Sequence, residues 1–93
     1  MAEHSQFYAE AARLAGRFAD AYALTAPGPE LEPFERETLL TMLTPYLEGA
    51  LILAAPPTDY VADPIRSWES LMRRKPGPVT FEYDLASGRV RAR

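Results

Sequence analysis

The fold is decided by VTFEYDLASGRVRAR, residues 79–93. Val79, Phe81 and Tyr83 alternate with polar residues, a four-residue turn ending in Gly88 follows, and the alternation resumes in the last five residues. Alternation with a period of two is typical of a strand that buries one face. This stretch therefore predicts a β-hairpin at the C-terminal end of a chain whose other segments are mostly helical.

One register of this hairpin satisfies two independent patterns. When Asp84 lies opposite Arg89, the apolar residues of both strands share one face of the hairpin. The other face then carries complementary polar pairs, namely Asp84–Arg89, Glu82–Arg91 and Thr80–Arg93. Cross-strand pairs of this kind stabilise sheets, and a slip of one residue would move every side chain to the wrong face. The register is therefore predicted together with the hairpin.

A first helix is predicted over residues 5–25, because apolar residues recur there at helical spacing. Its apolar arc is broad, roughly 200° at 100° per residue. Either other elements of the same chain or a second subunit must cover so wide an arc. Because this arc includes Phe7, Tyr8, Phe18 and Tyr22, we expect a homodimer, and we expect the same four residues to be the apolar contact surface for a protein partner.

A second helix is predicted to begin near Pro33, where the missing N–H of proline is no loss. Acids crowd this end, where the helix dipole favours them, and they form the expected polar contact surface for a protein partner: Glu30, Glu32, Glu35 and Glu37. Pro45 should kink or restart the helix because it removes a hydrogen bond, and Gly49 should end it.

Residues 50–55, ALILAA, are apolar at every position. A continuous apolar run of this length suits a strand covered on both faces. Gly49 and Pro56 bracket the run at strand length, which favours a strand, although a continued helix fits the same periodicity. We therefore expect this segment to pair with the C-terminal hairpin.

Asp63 and Pro64 predict the start of a short third helix, with an N-cap carboxylate before a proline in the first helical position. Residues 73–75, Arg-Arg-Lys, should end it. The expected fold class is α+β, with two long helices and a short third helix packed on a small sheet that includes the hairpin. At 93 residues the chain is long enough for one modest core, so residues 1–93 are expected to form a single domain.

Composition narrows the class of protein. Hydrophobic residues make up 47% and charged residues 25%, which is ordinary for a globular protein. The longest apolar run is too short to cross a bilayer, and the first residues lack the basic and apolar segments of a secretion signal. The chain has no cysteine, which fits a reducing compartment. We expect a cytoplasmic protein of a bacterium or phage, with no membrane partner.

Charge is divided unevenly along the chain. Residues 1–63 carry ten acids and three bases, a net charge of −7, whereas residues 64–93 carry seven bases and three acids, a net charge of +4, which together give −3. Such a basic segment can bind nucleic acid. Because local acids can pair with several of these bases, we keep nucleic-acid binding as the alternative function, with its contacts at Arg73, Arg74, Lys75 and Arg93.

No assembled catalytic set is evident in the sequence. His4 is the only histidine, no cysteine can act as a nucleophile, and no glycine-rich phosphate loop is present. We therefore expect neither an enzyme nor a cofactor or metal site. The leading hypothesis is a small protein that acts by binding another protein, as an inhibitor, an immunity-type or antitoxin-type partner, or an accessory subunit.

Overall fold

The structure, a computed structural model, describes residues 5–93, so His4 lies outside the described residues. The described chain folds into three α-helices, one short 3₁₀ helix and one hairpin: α1 (Tyr8–Thr25), α2 (Pro33–Ile52), the 3₁₀ helix (Pro57–Tyr60), α3 (Ala62–Met72), β1 (Phe81–Asp84) and β2 (Arg89–Ala92). The predicted α+β class is confirmed, with two long helices and a shorter third one.

The hairpin has the predicted register. Phe81 pairs with Ala92 and Asp84 with Arg89, and the backbone N–H of Arg93 donates to the carbonyl of Thr80 over 2.8 Å. In the turn, the hydroxyl of Ser87 and then the N–H of Ala86 bond to the Asp84 carboxylate and hold its pKa below the usual value. The two sequence patterns therefore specified a single pairing.

The predicted strand at residues 50–55 is wrong. α2 continues through Gly49 to Ile52, and a left-handed residue, Ala54 at φ 54°, then turns the chain. Two backbone bonds close this turn, from Ala55 N–H to the carbonyl of Ala50 (2.9 Å) and from Ala54 N–H to that of Leu51 (3.1 Å). This is the bonding pattern of a Schellman helix end, so the sheet consists of β1 and β2 alone in the described chain.

Pro45 does not restart the second helix, as one alternative predicted, because α2 runs through it without a break. The missing N–H of Pro45 leaves the carbonyl of Thr41 without its helical partner. Both residues are exposed, so water can take the place of the lost donor. The proline is tolerated because it lies on the solvent side of the helix.

Two helix starts also differ from the prediction. α1 begins at Tyr8, where the N–H bonds to the carbonyl of Ser5 over 3.0 Å. α3 begins at Ala62 after buried Val61, so Asp63 lies in its first turn and is not the N-cap. The 3₁₀ helix leads almost directly into α3, and the chain is therefore already helical before Asp63.

The wide apolar arc of α1 is covered by the chain itself. α2 packs along one side of α1 and β2 along the other. Phe18 meets Phe81 of the hairpin edge-on at 5.3 Å between ring centroids, and Tyr22 meets Trp68 of α3 at 5.5 Å. The core is closed within one chain, without a second subunit. The expected homodimer therefore stays a prediction, but the wide apolar arc of α1 no longer supports it.

Candidate protein-binding groove

A polar cluster lies inside the core around Glu69, which is 3% exposed. Its carboxylate accepts hydrogen bonds from the Tyr22 hydroxyl (2.5 Å), the Gly77 backbone N–H (2.6 Å) and the Arg66 guanidinium (2.6 Å). Burial, and then the bond to Glu69, raise the pKa of Tyr22 well above its usual value. Each member has a partner within the protein, so the cluster holds α1, α3 and the segment after α3 together.

Glu35 and Arg74 form an internal ion pair. The Arg74 Nη1 lies 3.1 Å and 3.3 Å from the two carboxylate oxygens of Glu35, and its Nη2 donates to the carbonyl of Pro29. The Trp68 indole N–H donates to the Glu35 carbonyl over 2.8 Å. A residue expected to contact a protein and one expected to contact nucleic acid are therefore partners of each other, and both are largely buried.

The other expected protein-contact residues divide between surface and core. Glu30, Glu32 and Glu37 are exposed, and the backbone N–H of Glu32 bonds to the Glu35 carboxylate in a capping box. Phe18 and Tyr22 have no exposed surface, whereas Tyr8 is exposed and Phe7 is partly buried. The four aromatic side chains therefore do not form one exposed apolar face.

The expected nucleic-acid contacts do not form a free basic patch. Besides the paired Arg74, Arg93 lies 3.6 Å from the Glu82 carboxylate, which also binds Arg91 at 2.7 Å. Within residues 5–93, Arg73 and Lys75 are exposed and make no ion pair. With Arg17 and Arg89, which are also exposed and without an ion pair in the described chain, this makes four unpaired cations, fewer than the roughly six to ten phosphate contacts of salt-sensitive DNA binders.

An apolar groove that sequence reasoning missed lies between the end of α2, the 3₁₀ helix and the hairpin. We call it the α2–β1 groove, and its volume is about 460 Å³. The residues that line it are Leu51, Ala54, Ala55, Pro56, Pro57, Thr58, Phe81, Tyr83 and Leu85. Apart from the Thr58 hydroxyl and the Tyr83 phenol these side chains are apolar, so the groove is suited to binding apolar groups.

The groove exists because α2 ends where it does. The left-handed turn at Ala54 directs the chain out of α2, and Pro56 and Pro57 restrict the backbone that follows. Buried Phe81 closes the side formed by β1, while Leu85 in the hairpin turn remains 83% exposed. Next to Leu51 and Ala54 in the chain, Ile52 and Leu53 are 55% and 67% exposed. Large apolar side chains thus line an open depression, and further exposed apolar residues follow Leu51 in the chain.

The signal for this groove was the apolar run of residues 50–55. The run was interpreted as a strand buried on both faces, but no partner strand covers it. Exposed apolar patches of this kind mark interaction sites in soluble proteins. An apolar run without a strand partner is therefore a signal for an interaction surface as well as for a buried strand.

The segment that runs from the last turn of α2 through the 3₁₀ helix carries negative charge and no base. Residues 49–60, which contribute Leu51 and residues 54–58 to the lining, contain one acid, Asp59, and no lysine, arginine or histidine, while in the hairpin Asp84 beside Leu85 lies opposite Arg89. α2 has no base in its last turn, so the negative end of its dipole is not neutralised there. Asp59, next to Thr58, makes no ion pair with another residue of the described chain.

Among residues 5–93, no three side chains of His, Cys, Asp or Glu are grouped so that they could hold a metal ion. Likewise, no helix of the described part combines the length and apolar character needed to traverse a bilayer. Comparison with protein-family models, with curated proteins and with solved structures finds no match in any of the three.

Proposed function

We propose that this protein is a non-catalytic protein-binding module whose contact surface is the α2–β1 groove. The observation that carries the proposal is a largely apolar depression on whose wall Leu85 remains 83% exposed. Exposed apolar surface costs free energy in water, at about 25 cal/mol per Å². A partner that covers this surface would recover that free energy on binding.

For the kind of protein-binding module we keep the three possibilities that the sequence suggested. An inhibitor, an immunity-type or antitoxin-type partner, or an accessory subunit each acts by covering a surface of another protein. We place the protein in the cytoplasm of a bacterium or phage-infected cell, supported by the absence of cysteine.

The experiment compares two leucine variants that are matched in exposure. Leu85 of the groove is 83% exposed and Leu24 at the end of α1 is 86% exposed, so Leu85→Ser and Leu24→Ser should both fold. Leu24 borders a different depression, together with Leu31 and Arg36. Tagged wild-type protein and both variants are used to capture partners from host lysate before and after nuclease treatment.

We expect a stoichiometric protein partner that wild-type protein and Leu24→Ser both retain. Leu85→Ser should weaken its binding by about tenfold, which corresponds to 1.4 kcal/mol for a buried apolar contact. Equal capture by all three proteins would contradict the groove assignment. Recovery of nucleic acid alone before nuclease, with no protein afterwards, would replace the proposal by the nucleic-acid alternative.

A further inference from the structure

We infer that the α2–β1 groove accepts a partner segment that places a large apolar side chain next to a lysine or arginine. This inference rests on the proposed function and names the chemistry of the partner at that same groove. The apolar side chain enters the groove, and the cation lies against the acidic surroundings at the end of α2.

The apolar half of the inference comes from the lining. Leu51, Phe81, Tyr83 and Leu85 contribute large side chains to the lining, whereas Ala54 and Ala55 contribute only methyl groups. A volume of about 460 Å³ exceeds that of one large side chain, so the groove can take one aromatic or leucine side chain with its neighbours. Hot spots of protein interfaces are typically such side chains buried in pockets.

The cationic half comes from the charges around the groove. The C-terminal end of a helix carries roughly half a negative charge. The last turn of α2 contributes Leu51 to the groove wall and contains no base to offset that charge. Asp59 follows Thr58, another lining residue, and is unpaired within residues 5–93. The part of the groove that comes from residues 49–60 therefore favours a cation.

The same charges disfavour other occupants. Two copies of this chain meeting groove to groove would form a symmetric interface, in which each residue faces the matching surface of its copy. Asp59 and the α2 end would then meet their own like charges, which destabilise contacts. Nucleic acid and anionic membrane are repelled for the same reason. A basic and apolar segment of another protein is complementary on both counts.

The test selects random peptides by display on the immobilised full chain. The selected peptides are then measured against Leu85→Ser, Asp59→Lys and the control Glu37→Lys, which reverses an exposed acid on the first turns of α2. We expect selected sequences with an aromatic residue or leucine beside lysine or arginine. Leu85→Ser should lower the affinity of these peptides by about tenfold. Asp59→Lys should lower it by about fivefold and Glu37→Lys by less than about twofold.

Raising the salt concentration from about 50 mM to about 500 mM should also weaken the binding of these peptides, because salt screens exposed charges. Selected peptides rich in acids, binding that strengthens with salt, equal binding to Leu85→Ser, or no enrichment at all would each overturn the inference. A dimer in light scattering that Leu85→Ser dissociates would assign the groove to a second copy and overturn it as well.

The two proposals fail in different ways. A cellular partner that needs Leu85 but binds through an acidic segment removes the inference about chemistry and leaves the proposed function standing. Basic apolar peptides that bind as expected, without any cellular protein partner, support the chemistry of the groove and remove the proposed function.

Discussion

Replacing Gly77 by alanine should destabilise the protein although the change adds only one methyl group. A Cβ at this position would lie 2.8 Å from Cε1, 2.9 Å from Oη and 3.0 Å from Cζ of Tyr22. The Tyr22 ring cannot withdraw, because it is fully buried against Trp68 and its hydroxyl bonds to Glu69. Moving the Gly77 backbone instead would break its own 2.6 Å bond to Glu69.

Overpacking of this kind costs about 1–3 kcal/mol. For a domain of this size that cost lowers the melting temperature by about 8–16 °C at the middle of the range. The matched control is Gly49→Ala inside α2, where a Cβ meets no atom within 4 Å. There the same substitution should stabilise the protein by about 0.5–1 kcal/mol, since alanine favours a helix interior over glycine.

The assay is thermal and urea unfolding of the three proteins followed by circular dichroism. The expected result is opposite signs for the two variants relative to wild type. A Gly77→Ala variant as stable as wild type would refute the close packing of the residues 73–80 segment on Tyr22, and with it the position of the buried polar cluster.

Three further changes test other parts of the structure by urea unfolding. Because the pKa of Tyr22 is raised in the folded state, this tyrosine loses its proton at a lower pH in the unfolded state. Above about pH 10 the free energy of unfolding of wild type should therefore fall by about 1.4 kcal/mol per pH unit relative to that of Tyr22→Phe. Parallel pH profiles of the two proteins would contradict this. Ala54→Gly should stabilise the protein by roughly 1 kcal/mol, because glycine adopts the positive φ at the end of α2 without a steric penalty. A destabilised variant would refute the left-handed conformation of residue 54. Glu35→Ala should lower the free energy of unfolding by about 3–5 kcal/mol, because it leaves Arg74 buried without its partner. The control Glu37→Ala, at an exposed position, should change it by less than about 0.5 kcal/mol. Equal effects of the two substitutions would argue against the internal ion pair.

The hairpin could be predicted to the residue because two local patterns agreed. Alternation placed Phe81 and Tyr83 on one face, and the charges of Glu82 and Arg91 fixed the pairing on the other. Both patterns act between residues that are close in the chain. Where the interacting residues are close in sequence, their pairing can be predicted without knowledge of the fold.

The end of α2 could not be predicted by the same means. Gly49 and Pro45 were interpreted as helix breakers, yet both lie within α2 because the buried stripe through Leu39, Leu43 and Leu47 stabilises the helix against their weak propensity. Tertiary packing outweighed local preference, and the apolar residues after Gly49 therefore became a helix end beside a groove.

The ion pair of Glu35 with Arg74 was equally beyond local reasoning. The two residues are 39 positions apart, and the pairing depends on how α2 and α3 meet. From the sequence each residue was a candidate surface charge. Only the fold shows that they neutralise each other, which removes one member from each of the two predicted contact surfaces.

Backbone-amide chemical-shift mapping with the captured partner tests the central claim most directly. The account predicts that the largest shifts fall on residues 51–58 and 81–85, the two segments that form the α2–β1 groove. Shifts concentrated instead on residues 30–37 or 73–75, with the groove unaffected, would contradict it.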